Sequence, residues 1–476
     1  MLDTLSHFIA GKLEQSESGE FVENRSPATG AVIGRVANGT SADVNRAVEA
    51  AVAALPGWRD QKPIGRGRVM QEIARNIRAR IAELAAAEAA DTGMPLVQAR
   101  GQMETAAAYF EFYGGLVNLP HGETIDLGPS YHSYTRREPF GVVGVILPWN
   151  APVNQAARAI APALAAGNTV VAKPSEETST SAIRLAQLAT ESGLPAGVLN
   201  VVLGVGAGVG AAVVEHPKVR KVSFTGSVRA GREVGKIAAE RIIPLTLELG
   251  GKSPNIIFDD ADLTSAVPST LRGFAGNAGQ ICVAGTRLLV QKSIKDEFLA
   301  KLKEAAEALK LGPVADAFFG PMITRAQYDK VLNYFDIAQQ EGAKLVTGGK
   351  ALSNDAVGDG WYVQPTIYEV RPEMRIASEE IFGPVLSVIP FDDEEDAIRI
   401  ANDTEYGLAA GIHTQNLSRA HRVAARLEAG QVYINEYLAG GIETPFGGFK
   451  QSGYGREKGI EALHHYTQLK CVTVRL

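Results

Sequence analysis

From Gly141 the chain reads GVVGVIL (141–147), and four further apolar runs follow: TVVAKP (169–174), VLNVVLG (198–204), KVSFTG (221–226) and PLTLELGG (244–251). Each is short and rich in β-branched residues, as a strand buried on both faces requires. Helical spacing lies between them: from Pro152, from about Thr178, over 208–215 and from Ser227. Strands alternating with helices imply parallel pairing, because each return crosses a face of the sheet. The expected architecture is α/β, a doubly wound parallel sheet, with ligands at the carboxyl ends of its strands.

Upstream, residues 1–39 read as an extended entry, Ser41 is placed to cap a helix running through Ala54, and 62–91 carry apolar residues at helical spacing. Downstream, a second alternating set runs from PNIIF near 254 to QVYIN near 431, with long helices around 295–309 and 324–341. Two pieces fit neither set: HGETIDLGPSYHSYTRREP (121–139) and the alternating YTQLKCVTVRL (466–476). The expected division is 1–120 with 140–248, then 249–447, with 121–139 and 448–476 forming an oligomerisation arm. No repeat or long linker separates these parts, so the active site is expected in a cleft between two apposed domains.

A net charge of -6 leaves no electrostatic footprint for nucleic acid, and no basic run suits a membrane surface. The opening MLDTLSHFIAGKLEQ lacks a basic start and apolar core, and no stretch of 18 uninterrupted apolar residues occurs, so the expected location is cytoplasmic. Two cysteines, Cys282 and Cys471, are too few for a disulfide framework or a thiolate metal site. No metal is expected, and an important cysteine must act as a thiol.

Candidate functional residues cluster after the strands. GVGAGVGA (204–211) holds a glycine pattern including Gly206 that suits a phosphate turn or an ordinary close turn. FTGSVRAG (224–231) competes with it: Gly226 permits a tight turn, and Ser227 opens a helix whose free N–H groups suit a pyrophosphate, or simply caps that helix. KPSE (173–176) places Lys173, Ser175 and Glu176 at a strand end, where Glu176 would accept from a ribose hydroxyl and repel a 2′-phosphate. The alternative is a solvated charge pair. Glu248, followed by Leu249, leaves a buried strand, and burial would raise its pKa toward that of a useful base. Cys282, preceded by Ile281, is flanked by Gly279 and Gly285, which leave room beside the sulfur; a small buried hydrophobe is the other reading.

With these residues in hand, the chain resembles the aldehyde dehydrogenase superfamily nearly end to end. PWN (148–150), KPSE, FTGS, LELGGKSPN (247–255), GQICVAGTR (279–287), EEIFGPV (379–385) and PFGGFKQSGYGRE (445–457) all match in order. The resemblance implies a dinucleotide-binding domain, a second domain carrying the cysteine, and an arm joining homodimers or homotetramers. It implies Cys282 as nucleophile, Glu248 as general base and Asn150 as oxyanion donor. It also implies NAD, with NADP as an alternative, held by Trp149, Lys173, Ser175, Glu176, Gly206, Gly226, Ser227, Leu249, Glu380 and Phe382. The substrate would be a small-molecule aldehyde.

The chain departs from relatives where their substrate tunnel lies. Ala151 and Gly276 stand where aromatic residues are common, and Asn154, Gln155 and Arg158 occupy positions often apolar or aromatic. With Ile281, these predict a pocket for a bulky aldehyde, aromatic or polycyclic, in which Arg158 meets a carboxylate or ring oxygen. Tyr109, Phe110, Phe112 and Tyr113 could instead refill the gap. A coenzyme A-acylating enzyme is disfavoured by Glu248, which such relatives usually lack, and a catalytically silent fold by the presence of Cys282, Glu248 and Asn150 together.

Overall fold

The structure, a computed structural model, describes residues 4–119, 121–313, 316–352 and 357–476. The five runs form parallel strands Val142–Ile146, Thr169–Lys173, Leu199–Val201, Val219–Thr225 and Leu245–Glu248. Their spatial order places Leu245–Glu248 beside Val219–Thr225, then Val142–Ile146, Thr169–Lys173 and Leu199–Val201. Strand order therefore reverses between Val142–Ile146 and Val219–Thr225, and the crevice outside a reversal point is where open α/β sheets bind ligands. Every residue of Val142–Ile146 is buried, since helices cover both faces. At Gly144 an added Cβ would lie 2.7 Å from Val213 Cγ1, so this glycine lets the covering helix approach closely.

Antiparallel pieces extend both edges of that sheet. His7–Ile9 and Lys12–Glu14 form a hairpin beyond Leu199–Val201, and Gly453–Tyr454 pairs with Leu245–Glu248. The segment 448–476 is thus divided. Only its last strand, Thr467–Arg475, joins Tyr131–Pro139 and Thr124–Ile125 in a separate three-stranded sheet. Two-residue pairing leaves too short a pattern to read from sequence.

The second sheet has seven strands, ordered Lys344–Thr347, Thr366–Glu369, Val385–Phe391, Arg287–Gln291, Pro254–Ile257, Ala409–His413 and Gln431–Ile434. All are parallel except the first, an edge strand paired antiparallel.

Several local expectations shift. The helix expected from Ser41 to Ala54 spans Ser41–Arg59, and Thr40 is its cap: its hydroxyl accepts from Ala42 N–H, while Asp43 accepts from Thr40 N–H. Thr40 wins because Asp43 lies three residues on and completes a reciprocal capping box. The expected helix over 208–215 is a wide turn, Gly206–Gly210, followed by the helix Ala211–Glu215. Three of its five residues are glycine, among the weakest helix formers, so a regular α-helix starts only at Ala211. Among the described residues, no helix is long and apolar enough to cross a membrane.

Candidate active site

The chain leaves strand Val142–Ile146 into the turn Pro148-Trp149-Asn150 and enters helix Pro152–Ala165, with proline at the first helical position where no N–H is needed. Buried Glu88 accepts from Val153 N–H at 3.1 Å, satisfying a free donor of that helix end. Asn150 is thereby held at the reversal point, 8% exposed. Its amide donates to Gln280 O at 2.9 Å, and its carbonyl accepts from Asn277 Nδ2 at 2.9 Å.

Those partners belong to the loop that carries Cys282. Asn277 and Ala278 both adopt left-handed backbone (φ +49° and +54°), which for residues with a Cβ costs about 1–3 kcal/mol each unless the surroundings impose it. Here they do. Gln280 donates to Asn277 O and Pro321 O and accepts from Ile323 N–H. Gly279 (φ +70°) passes so near Gly383 O that an added Cβ would lie 2.1 Å from it. Cys282 follows, half-buried, and burial pushes its thiol up to about 11, opposed by the nearby Arg158.

Glu248 ends its strand at 2% exposure, and neither carboxyl oxygen has a hydrogen-bond partner among the described residues. Burial first, then the neighbouring Glu457, raise its pKa well above the usual carboxylate range, while Arg158 pulls the other way. A neutral carboxyl is the resting state this favours. Glu457 arrives on the segment after Gly453–Tyr454, and lies 2.5 Å from Arg158 Nε in a fully enclosed ion pair. It also accepts from Ser223 Oγ at 2.9 Å.

That pair corrects the sequence reading of Arg158. Its guanidinium is neutralised by Glu457, stacks 4.9 Å from the Phe446 ring centroid and reaches Thr225 Oγ1 at 3.4 Å, so it is not a free receptor for a substrate carboxylate. Arg158→Met, which strands Glu457 in the interior, is expected to cost about 3–5 kcal/mol of stability. A lower thermal midpoint would show this, with most of the loss recovered by adding Glu457→Leu; an unchanged midpoint for the single variant would refute the pairing.

Two cavities meet at the thiol. The first, about 220 Å³, is lined by Trp149, Gly226, Ser227, Leu249, Glu380 and Phe382, with Glu248 and Lys330 among others. Trp149 and Phe382 stand edge to face there, 5.3 Å between centroids. Ser227 accepts from Ala230 N–H and caps helix Val228–Arg241. Glu380 accepts from Gly251 N–H at 3.1 Å, while Lys330 donates to its carbonyl and Gln327 to those of Ile381 and Phe382. An added Cβ at Gly250 would lie 2.2 Å from the Glu380 carboxylate, so the two segments close on one another only because no side chain intervenes.

Lys173, Glu176 and Gly206 form a neighbouring cluster outside that cavity. Lys173 Nζ lies 2.8 Å from Glu176 and 3.8 Å from where a Gly206 Cβ would sit. Ser175 accepts from Glu177 N–H, capping the turn Glu176–Thr178.

The second cavity, about 540 Å³, is lined by Ala151, Asn154, Arg158 and Ile281, by Phe446 of the motif PFGGFKQSGYGRE, and by Gln102, Thr105 and Lys458, which lie outside every motif. Asn154 donates to Gln102 there. Gly276 does not line it directly; the space beyond its Cα faces Ile281 Cδ1 at 3.7 Å. Of the four aromatics that could refill the space, only Tyr109 reaches it. Phe110 and Tyr113 are wholly buried in the first domain's core, where Tyr113 Oη donates to Gly459 O, and Phe112 packs against that core. Both cavities share Asn150, Gln155 and Cys282.

Glu457 was within reach of sequence reading, since it closes the quoted PFGGFKQSGYGRE. Gln327, Lys330 and Lys458 carried no local signal. Their importance depends on which loop each one faces.

A thiol between a cavity at the reversal point of a doubly wound sheet and a second, open cavity is an arrangement in which a cysteine nucleophile and a dinucleotide can meet one substrate. The chain belongs to the aldehyde dehydrogenase family, whose profile matches residues 13–472. It is 47% identical over 474 residues to the betaine aldehyde dehydrogenase of Sinorhizobium fredii, covering 98% of this chain and 97% of that one. Among solved structures, an indole-3-acetaldehyde dehydrogenase of P. syringae in complex with NAD+ and IAA matches with a TM-score of 0.97 at 42% identity, over 100% of this chain and 97% of its own. A betaine aldehyde dehydrogenase of Staphylococcus aureus, in complex with NAD+ and with a modified cysteine, matches with a TM-score of 0.96 at 40% identity, over 99% and 96%. The fold is therefore that of the family, and the activity is oxidation of an aldehyde with a nicotinamide dinucleotide.

Proposed function

We propose that this chain oxidises a bulky, aromatic aldehyde to its carboxylic acid with NAD, using Cys282, Asn150 and Glu248. The observation that carries this reading is the meeting of two cavities at Asn150 and Cys282, which lets an aldehyde and a dinucleotide approach the sulfur from different sides. The smaller cavity fits a nicotinamide and its ribose: Trp149 and Phe382 bound it, Glu380 offers a carboxylate, and Gly250 leaves the backbone bare. A nicotinamide held there would supply the hydride acceptor, and its positive charge beside Cys282 would favour the thiolate.

Cys282 releases its proton to water and its Sγ attacks the carbonyl carbon as the thiolate, and the oxyanion is held by the Asn150 amide and the Cys282 N–H. That N–H donates to no other group among the described residues. Loss of hydride leaves a thioester on Cys282. Glu248, as carboxylate, takes a proton from water, which attacks the thioester and releases the acid. Lys173, Glu176 and Gly206 would face the adenosine ribose, where Glu176 disfavours a 2′-phosphate. Ser175 acts by shaping that turn, and Ser227 brings the helix N-terminus toward the diphosphate beside Gly226.

A cavity of about 540 Å³ exceeds what a two-carbon aldehyde fills, and this supports the bulky substrate. The identity to relatives named for betaine aldehyde favours a second reading, that compound itself. Residues 1–120 with 140–248 would serve the dinucleotide and 249–447 the cysteine. Exposed Ile125, Leu127, Tyr131, Leu469 and Val474 on the arm support pairing of subunits into homodimers or homotetramers. A reduced thiol fits the cytoplasm.

The test is NADH formation by the purified protein with indole-3-acetaldehyde, benzaldehyde and acetaldehyde, in parallel with NAD and NADP. The expected result is higher kcat/KM for the aromatic aldehydes and for NAD. A clear preference for acetaldehyde would end the bulky-substrate reading.

A further inference from the structure

One half-buried charge in the wall of the larger cavity has no partner in direct contact among the described residues. Four of its lining residues are charged: Glu104, Arg158, Glu443 and Lys458. Arg158 is answered by Glu457, and Glu104 by Arg78 at 2.7 Å. Glu443 is exposed at the rim. Lys458 is half-buried, and its ammonium has no hydrogen bond or ion pair among the described residues. It lies 5.6 Å from the centroid of the Phe446 ring, the same ring on which Arg158 stacks.

Its placement is imposed by the fold. Lys458 adopts left-handed backbone (φ +62°), between Glu457, which bridges to Phe446, and Gly459, whose N–H donates to Ile442 O and whose carbonyl accepts from Tyr113 Oη. A non-glycine residue persists in that conformation only where its surroundings over-determine it. Burial, with Arg158 nearby, lowers the Lys458 pKa to about 8, and Glu443 only partly opposes this. The group is still an ammonium at neutral pH, but its charge is under-compensated; an anion in the cavity would supply what the protein does not.

Building on the aldehyde dehydrogenase reading, we infer that the substrate is an aldehyde bearing a carboxylate, or an equivalent anion, at the end remote from the reacting carbon, and that Lys458 receives it. A quaternary ammonium would meet the opposite environment. Such cations are held by cages of aromatic faces, whereas here Ala151 lacks a ring, Phe446 already lies beside two cations, and Tyr109 is the one other aromatic among the lining residues.

Three para-substituted benzaldehydes separate the possibilities, with the aldehyde and ring held constant: 4-formylbenzoate, its methyl ester, and 4-(trimethylammonio)benzaldehyde. With NAD at low salt, kcat/KM is expected to be at least about tenfold higher for the carboxylate than for the ammonium, and the margin to shrink at high salt as the charges are screened. Lys458→Met is expected to lower the carboxylate-to-ester ratio about tenfold, chiefly through KM. Equal or better turnover of the ammonium compound, or an unchanged ratio in the variant, would overturn the inference. Oxidation of the ester with no charge preference would leave the dehydrogenase reading standing, whereas no NADH from any of the three or from simple aldehydes would remove both.

Discussion

Cys282→Ala is expected to lower aldehyde oxidation by about 10⁴-fold or more, because covalent capture of the aldehyde has no substitute in the site. The other cysteine, Cys471, is exposed on the arm strand and pairs with Thr135, so it cannot replace the lost sulfur. NAD binding should persist, since Trp149, Glu380 and Phe382 are held by contacts that do not involve the thiol. NADH production at high enzyme concentration checks the loss of oxidation, and titration of tryptophan fluorescence with NAD checks the retained binding. Residual turnover above about 1% of the parent rate, well beyond what loss of a nucleophile leaves, would remove Cys282 from the nucleophile's role.

Glu248→Gln is expected to separate the two halves of the reaction. Hydride transfer continues and yields one NADH per active site in the first turnover, after which steady turnover falls by about 10²–10⁴ because the thioester lacks its base. The substitution keeps the shape of the side chain and removes an ionisable group from a site where neither oxygen finds a hydrogen-bond partner, so the fold should tolerate it. The pH dependence follows from the same burial. The raised Glu248 pKa means that the carboxylate, the form the proposed mechanism uses as base, gains population as pH rises. Steady turnover of the parent should therefore increase with pH over this range, and the variant should lose that increase. The burst rate, which depends on the Cys282 thiol raised by burial, should retain its own rise at higher pH. Absence of a burst, or a variant with ordinary turnover, would reassign Glu248.

The first sheet was legible because its strands are buried on both faces, which prints each one as a continuous apolar run: VVGVI and TVV need no partner to be read. The second domain's alternation was legible for the same reason. Placement was legible where a motif follows its strand directly: Asn150, Lys173, Ser227 and Glu248 all stand at or just beyond strand ends of the first sheet. Reading failed where an element's role depends on a distant partner. Arg158 looked like a free cation because Glu457, which neutralises it, is brought in by a two-residue edge strand. Tyr109 and Phe110 are adjacent in one helix, yet only the first faces the cavity.

What the amino-acid sequence determined by itself was the pair of α/β units, the ordered motifs and the identity of the thiol, carboxylate and amide available for chemistry, since all of these are written in periodicity and short-range neighbours. The tertiary structure alone decided that two cavities share Cys282 in their walls, that Arg158 is paired with Glu457 and that the Lys458 ammonium lines the larger cavity with no hydrogen bond or ion pair among the described residues. The physical reason is that charge compensation and burial depend on what the fold brings within a few ångströms, and residues far apart in the chain carry no mark of that proximity.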